Sequence, residues 1–426
     1  MDRDLLEALY DCSNFVDPAE ALDDDDGRWL PLGGPAGPGG NEQSLRQVRD
    51  ECRALAVSNE FAINGHENRI SYIVGSGFSY RAAPRPGAPP GSERLTVEVQ
   101  ELLDAFVRDN HWRQRQQEIV RRRDRDGEAF LRFFTSDGTL RVRFVEPDQV
   151  AAPSHRAGDA AATLGIQTDP DDVETVHGYW IDGRWVEAGE IQHRKANVDA
   201  NVKRGLPLFY PVRKNLRRAE KLLRNMSAVA EIQSAIALIR KHAGGRAGVQ
   251  QFVQGQADGQ ASSPGRGSYV RRYAPGTILD AHAGIEYQFP AAAIDAGRFV
   301  TVLQAELRAI AARLVLPEFM LTSDASNANY ASTMVAEGPA VRMFQRLQHE
   351  MLEDDLEVMA RVVDAAIAAG RLPRAARTDV RIDGVPPTLA VRDRLREAQA
   401  DRILVECGAM TVAAMAARHG LDTTKG

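Results

Sequence analysis

Cysteine is scarce in this 426-residue chain: only Cys12, Cys52 and Cys407 occur. They are far apart and odd in number, and no CxxC pair exists. Neither a zinc ribbon nor a disulfide framework is supported, and a reducing, intracellular folding environment is the expectation. No apolar run reaches the ~18 residues a membrane-spanning helix needs, so none is expected. The first residues, MDRDLLEALYD, are acidic and lack the apolar centre of a signal peptide. Lysine is also rare, six in all, and none sits in a GxxxxGK[ST] phosphate cradle. Work driven by ATP would therefore have to come from a partner. No GxSxG elbow is present, and His349-Glu350 is followed by MLE, so the second histidine of HExxH is missing. The glycines of GSGFSY, from Gly75, lack the strand–turn–helix context of a dinucleotide fingerprint and read as backbone punctuation. Neither a cofactor nor a metal is implied.

The charge is mildly acidic, −6 from 53 basic and 59 acidic residues. That argues against a surface that coats DNA through global basicity. It leaves room for a protein that lets DNA pass without gripping it. The hydrophobic share of 43% is enough for a substantial core in a chain of this length.

Residues 1–40 read as a flexible segment, with Asp23 to Asp26 followed by the breaker-rich PLGGPAGPGG. From Ser44 the spacing of Leu45, Val48, Cys52, Leu55 and Ala56 predicts a helix. An amphipathic helix is expected over Val97 to Val120. EAFLRFF and TLRVRFVEP flank Ser136-Asp137-Gly138, a hairpin signal, and Asp182-Gly183 centres a second. From Arg213 a stripe of Leu216, Ala219, Leu222, Leu223, Met226, Val229, Ile232, Ile236 and Ile239 predicts one helix ending at Gly244-Gly245. Its length is about 30 residues, or roughly 45 Å. Residues 255–268 read as a flexible insert, and GTILDAHAGIEYQFP as two short strands with a turn. A helix over 297–316 would pack through Val302, Ala305, Leu307, Ile310, Ala311 and Leu314, and end at Pro317. A further long helix reaches about Ala369, packing through Phe344, Leu347, Met351, Leu356, Met359, Val363 and Ile367. The overall expectation is α+β, mainly helical.

Three charge clusters invite a functional reading. Glu353, Asp354 and Asp355 could bind metal, but no histidine or aspartate stands at ligand spacing, so a solvated or salt-bridged face is favoured. Arg121, Arg122, Arg123 and Arg125 could touch phosphate; pairing with the interleaved Asp124 and Asp126 is favoured. Lys214, Arg217, Arg218 and Lys221 lie on one face at the start of the 213 helix, as a DNA-facing or ring contact would need, although a solvated face still leads.

Three segments, in order, resemble the portal proteins of tailed phages, particularly the lambda-like family. EAFLRFF, VEPDQV, HGYWIDGRWVE and IQHRKANVDANVKRGLPLFYPV resemble that family's wing region. YAPGTILDAHAGIEYQFP resembles its Pro-Gly … Gly-Glu … Phe stretch. LRAIAARLVLPEFMLTSDASNANYASTMVAE resembles its most recognisable segment, where a helix ends at a proline and LTxDxSNxNYSS leads into a long helix. The resemblance implies a subunit with wing, stem, clip and crown regions: a wing at 41–212, a stem helix at 213–243 and a clip at 244–296. A second stem helix at 297–316, a tunnel loop at 317–332 and a long kinked helix with crown helices at 333–426 complete it. The kink is expected at Gly338-Pro339, because proline removes a backbone donor. The resemblance also implies a homo-oligomeric ring, twelve-fold like its relatives, assembled in a bacterial cytoplasm and carried in the virion. The implied partners are the terminase large subunit, the major capsid protein, a head–tail adaptor and double-stranded DNA in the channel, with no membrane. Thr322, Ser323, Asp324, Ser326, Asn327, Asn329 and Tyr330 would line or gate that channel. Asn and Ser side chains hydrogen-bond water and phosphate without strong charge attraction. Read from the residues alone, the same Ser/Asn run caps the next helix through Ser326 or Asn327. The two roles are compatible.

Two other classes stay open at this point. A minor head protein or head–tail adaptor is usually shorter and lacks the two long helices flanking an insert. An intracellular nucleic-acid enzyme would need a carboxylate or His/Cys constellation.

Overall fold

The computed structural model describes residues 42–156, 159–242, 277–282, 296–324, 330–389, 394–412 and 415–416. The expectations for Asp23 to Asp26, Cys12, the 255–268 insert, Ser326, Asn327 and Asn329 lie outside these residues. The chain divides into two units: Leu30–Arg213 with Ile310–Gly426, and Met1–Trp29 with Lys214–Ala309.

The larger unit begins with α1 (Glu42–Ser58) and α2 (Glu60–Ile73). Leu45, Val48, Cys52 and Leu55 are buried, as their spacing predicts. Asn59 starts α2 as its cap, its Oδ1 accepting from the backbone N–H of Phe61 at 3.2 Å and Ala62 at 3.1 Å. Gly75 and Gly77, both at positive φ, turn the chain into β1 (Ser79–Pro84).

The single helix expected over 97–120 is two: α3 (Ser92–Asp109) and α4 (Trp112–Asp126). Asn110 explains the break. Its amide donates to Phe106 O at 3.2 Å and Leu140 O at 3.1 Å, and its Oδ1 accepts from Val142 N at 3.0 Å. A side chain that stitches a helix end to a strand outcompetes continued helix.

Both hairpin signals form. β2 (Glu128–Ser136) and β3 (Thr139–Val145) are joined through Asp137 and Gly138, at φ 48° and 70°. β4 is Ile166–Thr168; β5 (Val176–Ile181) and β6 (Arg184–Glu187) are joined through Asp182 and Gly183, at φ 49° and 73°. Positive φ at both central residues is what a two-residue turn needs to match strand twist. β7 (Ile191–Lys195) pairs with β2, so two antiparallel sheets result, β3-β2-β7 and β4-β5-β6. They share one core: Phe130, Val145, Val150, Ile166, Tyr179, Ile181, Val186 and Ile191.

In the smaller unit α5 (Arg213–Ala235) stops well short of the expected 243. Residues 236–242 form β8 (Ile236–His242), parallel to β9 (Thr277–His282). Ile236 and Ile239 therefore belong to a strand, not to the helical stripe. Branched residues favour the pleated state once a partner strand is present. β9 pairs with residues 236–242, and the second strand expected in GTILDAHAGIEYQFP lies outside the described residues.

α6 (Ala296–Leu314) forms nearly as expected, with Leu307, Ile310, Ala311 and Leu314 buried. Its packed face runs through Leu303, whereas the expected Val302 is 51% exposed and Ala305 is exposed too. α7 (Glu318–Thr322) is a single short turn.

α8 (Tyr330–Ala368) runs 39 residues without interruption through Pro339. Of the kink or break expected at Gly338-Pro339, the break does not occur. The carbonyl that Pro339 leaves without a donor belongs to Val335, which is 78% exposed, so water can serve it. Phe344, Met351, Met359 and Val363 are buried on the opposite side. α9 (Ala375–Asp379) leads into β10 (Val380–Val385), which pairs antiparallel with β1 from Ser79↔Val385 to Pro84↔Val380. α10 (Arg394–Glu406) follows, and Gly408 at φ 75° lies just beyond it. The class is α+β, mainly helical. No helix among the described residues is long and apolar enough to cross a membrane.

Candidate functional site

The corner between α6 and α8 carries the sequence-predicted channel residues. α6 ends with Val315 in the left-handed region at φ 55°, and Pro317 then starts α7. Part of the expected loop at 317–332 is therefore helical: Glu318–Thr322 forms α7, and Tyr330 to Ser332 already lie in α8. A proline fixes φ near its helical value and donates nothing, so it starts a turn as readily as it stops one.

Thr322 and Ser323 end α7. The Thr322 Oγ1 donates to Glu318 O at 3.0 Å and accepts from Asp324 N at 3.3 Å. Ser323 takes φ 57°, unusual for a residue other than glycine, and both Ser323 and Asp324 are exposed. The corner thus presents a hydroxyl and a carboxylate outward on a chain whose backbone is locally fixed.

What fixes it is α2. Asn64 donates to Met320 O at 2.9 Å and Leu321 O at 2.7 Å, and Asn68 donates to Met320 O at 3.2 Å. These are carbonyls of α7 that a five-residue helix cannot satisfy internally. Between the two asparagines lies Gly65. A Cβ there would come within 2.4 Å of Leu314 Cδ1 and 3.2 Å of Leu321 Cδ1. Asparagine, glycine and asparagine at 64, 65 and 68 therefore make the seat for the LPEFMLT corner. Sequence reading missed them; the signal available was two asparagines at i and i+4 beside a helical glycine.

The basic residues of α5 are not a bare patch. Arg218 pairs with Glu306 of α6 at 3.4 Å, and the neighbouring Asn215 donates to the same carboxylate at 2.7 Å. Lys214, Arg217 and Lys221 also have partners. The 121–125 run is spent on structure as well. Arg121 pairs with Glu67, Arg122 with Glu118 and Glu146, and Arg123 with Glu350. Only Arg125 takes an interleaved carboxylate, Asp126.

Buried charge organises the rest of the larger unit. Glu128, fully buried, pairs with Arg49 and accepts from Arg204 Nε at 2.8 Å, His193 Nε2 at 2.9 Å and Gly205 N at 3.0 Å. Burial alone would raise its carboxyl, but Arg204 and Arg49, with the His193 hydrogen bond, hold it well below the usual range. Burial in turn pulls Arg49 down to about 10, still protonated at neutral pH. Asp355, read as part of a solvated or salt-bridged face, is 0% exposed. It accepts from Tyr80 Oη at 2.6 Å, Gln116 Nε2 at 2.7 Å and Arg194 Nη2 at 2.7 Å. Of the acidic trio only Glu353 is exposed. Among the described residues no group of three or more His, Cys, Asp or Glu is placed to hold a metal ion.

α5 and α6 stand on either side of residues 236–295 in the sequence, and a polar corner seated on α2 follows α6. The model of the phage portal protein, lambda family, matches residues 34–348, and the chain belongs to that family. Among solved structures, the chain is similar to a component of the virion of a native gene transfer agent particle. The identity is 13% and the TM-score 0.47, covering 95% of this chain and 99% of that one. A second likeness is to the neck of a native gene transfer agent particle computed with C12 symmetry, at 15% identity and TM-score 0.45, covering 90% and 95%. A third is to an HK97-family phage portal protein from Corynebacterium diphtheriae, at 15% identity and TM-score 0.30, covering 67% and 82%. No curated protein matches the chain.

Proposed function

We propose that this portal-family chain is the repeating subunit of a twelve-membered ring at a capsid vertex. In this reading the ring is the conduit for double-stranded DNA, a structural part of the virion and not a catalyst. The carrying observation is the family match over residues 34–348. Residues 41–212 serve as the wing, α5 and α6 as the stem, and 244–296 as the clip. The terminase large subunit, the major capsid protein and a head–tail adaptor dock on it, and assembly takes place in the bacterial cytoplasm.

Within that reading the 322–330 corner faces the channel axis, with one Asp324 carboxylate per subunit. A ring of exposed negative charge repels phosphate and keeps DNA from sticking, because tight, salt-sensitive binding comes from cations on phosphates. The seat on α2 supports this role: a corner anchored by Asn64 and Asn68 can present Ser323 and Asp324 without collapsing. Arg217 and Lys221 of α5 serve ring contacts, where their charge meets a neighbouring subunit.

Negative-stain imaging of the purified protein tests the assembly: rings with a central hole are expected, and a compact monomer at every concentration would count against it. Asp324→Lys tests the corner. Packaging in a reconstituted reaction with the terminase should slow or stall while rings still form. Unchanged packaging would remove Asp324 from the channel.

A further inference from the structure

Where α6 ends, a cleft of about 230 Å3 opens within the larger unit. Its wall holds more positive charge than its carboxylates balance. Arg69, Arg123, Lys195, Arg313 and Arg346 line it, against Asp124 and Glu350. Both carboxylates are already engaged. Asp124 accepts from Arg69 Nε at 2.9 Å and Nη2 at 3.1 Å, and Glu350 pairs with Arg123. The other three cations rest on neutral groups. Lys195 Nζ donates to Ala200 O at 2.6 Å and Val202 O at 2.7 Å. Arg313 Nε donates to Leu208 O at 3.0 Å, and Arg346 Nη2 sits 3.0 Å from the Met343 sulfur.

Two further observations point to a ligand. Arg123 is only 9% exposed, and its Nε is buried with no hydrogen-bond partner among the described residues. Such a donor is costly to leave unmatched. The wall also includes Asn197 and Val315 at φ 61° and 55°. Left-handed backbone at a β-branched residue is strained, and strain of this kind collects at ligand clamps. Burial, and then Arg69, push Arg313 below its ordinary value, and burial does the same to Lys195. A bound anion would oppose both effects.

We infer that this cleft is a binding site for a phosphate-class oxyanion, held by the guanidinium groups of Arg313 and Arg346 with Lys195 and Arg123 behind them. Guanidinium forks match tetrahedral oxyanions with paired hydrogen bonds. The volume leaves room for the anion and a few waters of about 30 Å3 each. Free phosphate and the phosphodiester of a polynucleotide present the same chemistry. An occupant would bridge the last turn of α6 to α8, directly upstream of Pro317. The inference does not depend on the ring reading.

Isothermal titration calorimetry of the full chain, at fixed ionic strength with chloride as reference, tests it using inorganic phosphate and then a short DNA duplex. Saturable phosphate binding is expected, weakened about tenfold by Arg313→Gln and again by Arg346→Gln. Arg346 is exposed and its side chain donates to a methionine sulfur rather than to a carboxylate, so Arg346→Gln should fold normally by circular dichroism. Phosphate binding with duplex binding indifferent to both variants identifies free phosphate as the ligand. Phosphate and duplex binding weakened together identify the polynucleotide backbone. Phosphate heats that do not saturate, or that are unchanged in both variants, overturn the assignment.

Discussion

Removing the charge of Glu128 while keeping its shape should unfold the larger unit more than almost any other single change. In Glu128→Gln the side chains of Arg49 and Arg204, 3% and 2% exposed, lose the carboxylate they share. The amide keeps one acceptor oxygen but turns an NH2 group toward donors. Breaking one partner out of a buried pair costs about 3–5 kcal/mol, because the other charge stays buried and uncompensated. Here two guanidiniums are left, but Arg204 keeps its bonds to the carbonyls of Val150, Leu164 and Pro147, each at 2.8 Å. About 4 kcal/mol is therefore a fair figure, and at ~2–4 °C per kcal/mol the thermal midpoint should fall by about 8–16 °C. Far-UV circular dichroism melts at pH 7 measure it. Glu353→Gln, at an exposed carboxylate beside His349, is the control and should change little. A midpoint for Glu128→Gln within about 2 °C of the parent would refute the reasoning.

The same cluster sets an acid limit. The folded Glu128 carboxyl lies below its ordinary value of 4.5, so the unfolded chain takes up the proton first. Its contribution is present above about pH 4.5 and is lost as the pH falls below it. Burial, outweighing Glu128, holds His193 below its ordinary 6.5, so that loss begins as the pH falls through about 6.5. Stability should drop on the acid side in both windows, and Glu128→Gln should flatten the lower one. Gly205→Ala should be strongly destabilising in urea titrations, because its Cβ would lie 2.0 Å from the Gly127 carbonyl oxygen, a backbone atom with nowhere to go. Asn64→Ala should cost about 1–3 kcal/mol and raise amide exchange across 318–322, since the Leu321 carbonyl loses its side-chain donor and Met320 keeps only Asn68; unchanged exchange would remove Asn64 from its seat role. Pro339→Ala should raise the melting point, as the Val335 carbonyl regains a helical donor worth up to ~3 kcal/mol; a fall would mean that the proline shapes α8 usefully.

Local patterns were the legible part of this fold. Asp137-Gly138 and Asp182-Gly183 announced their hairpins because the turn chemistry is contained in two residues. The stripe from Leu303 to Leu314 was legible within one position, since a helical period constrains spacing better than phase. What failed depended on distant partners. α5 ends at Ala235 because residues 277–282 offer a strand, and α3 parts from α4 because Asn110 reaches Leu140 and Val142. A salt-bridged Asp355 was among the expectations, but its full burial was not, because its partners lie at Tyr80, Gln116 and Arg194. At the candidate corner, the string LTSDASNANYAS was readable by resemblance, but its seat at Asn64, Gly65 and Asn68 lies some 250 residues upstream, and the i, i+4 asparagines there do not say which segment they hold.

Asp355 also has a consequence for how the chain is made. Its bonds span 275 residues to Tyr80, 239 to Gln116 and 161 to Arg194. A ribosome working at ~5–20 residues per second needs about 10–30 s to travel from Arg194 to Asp355. Throughout that interval Arg194 carries a positive charge destined for burial, and nothing yet synthesised neutralises it. The larger unit therefore cannot close over its own charge before α8 emerges, and a nascent chain stalled within the 214–309 insert stays open. Until Asp355 has been synthesised, burying Arg194 carries the cost of an uncompensated charge.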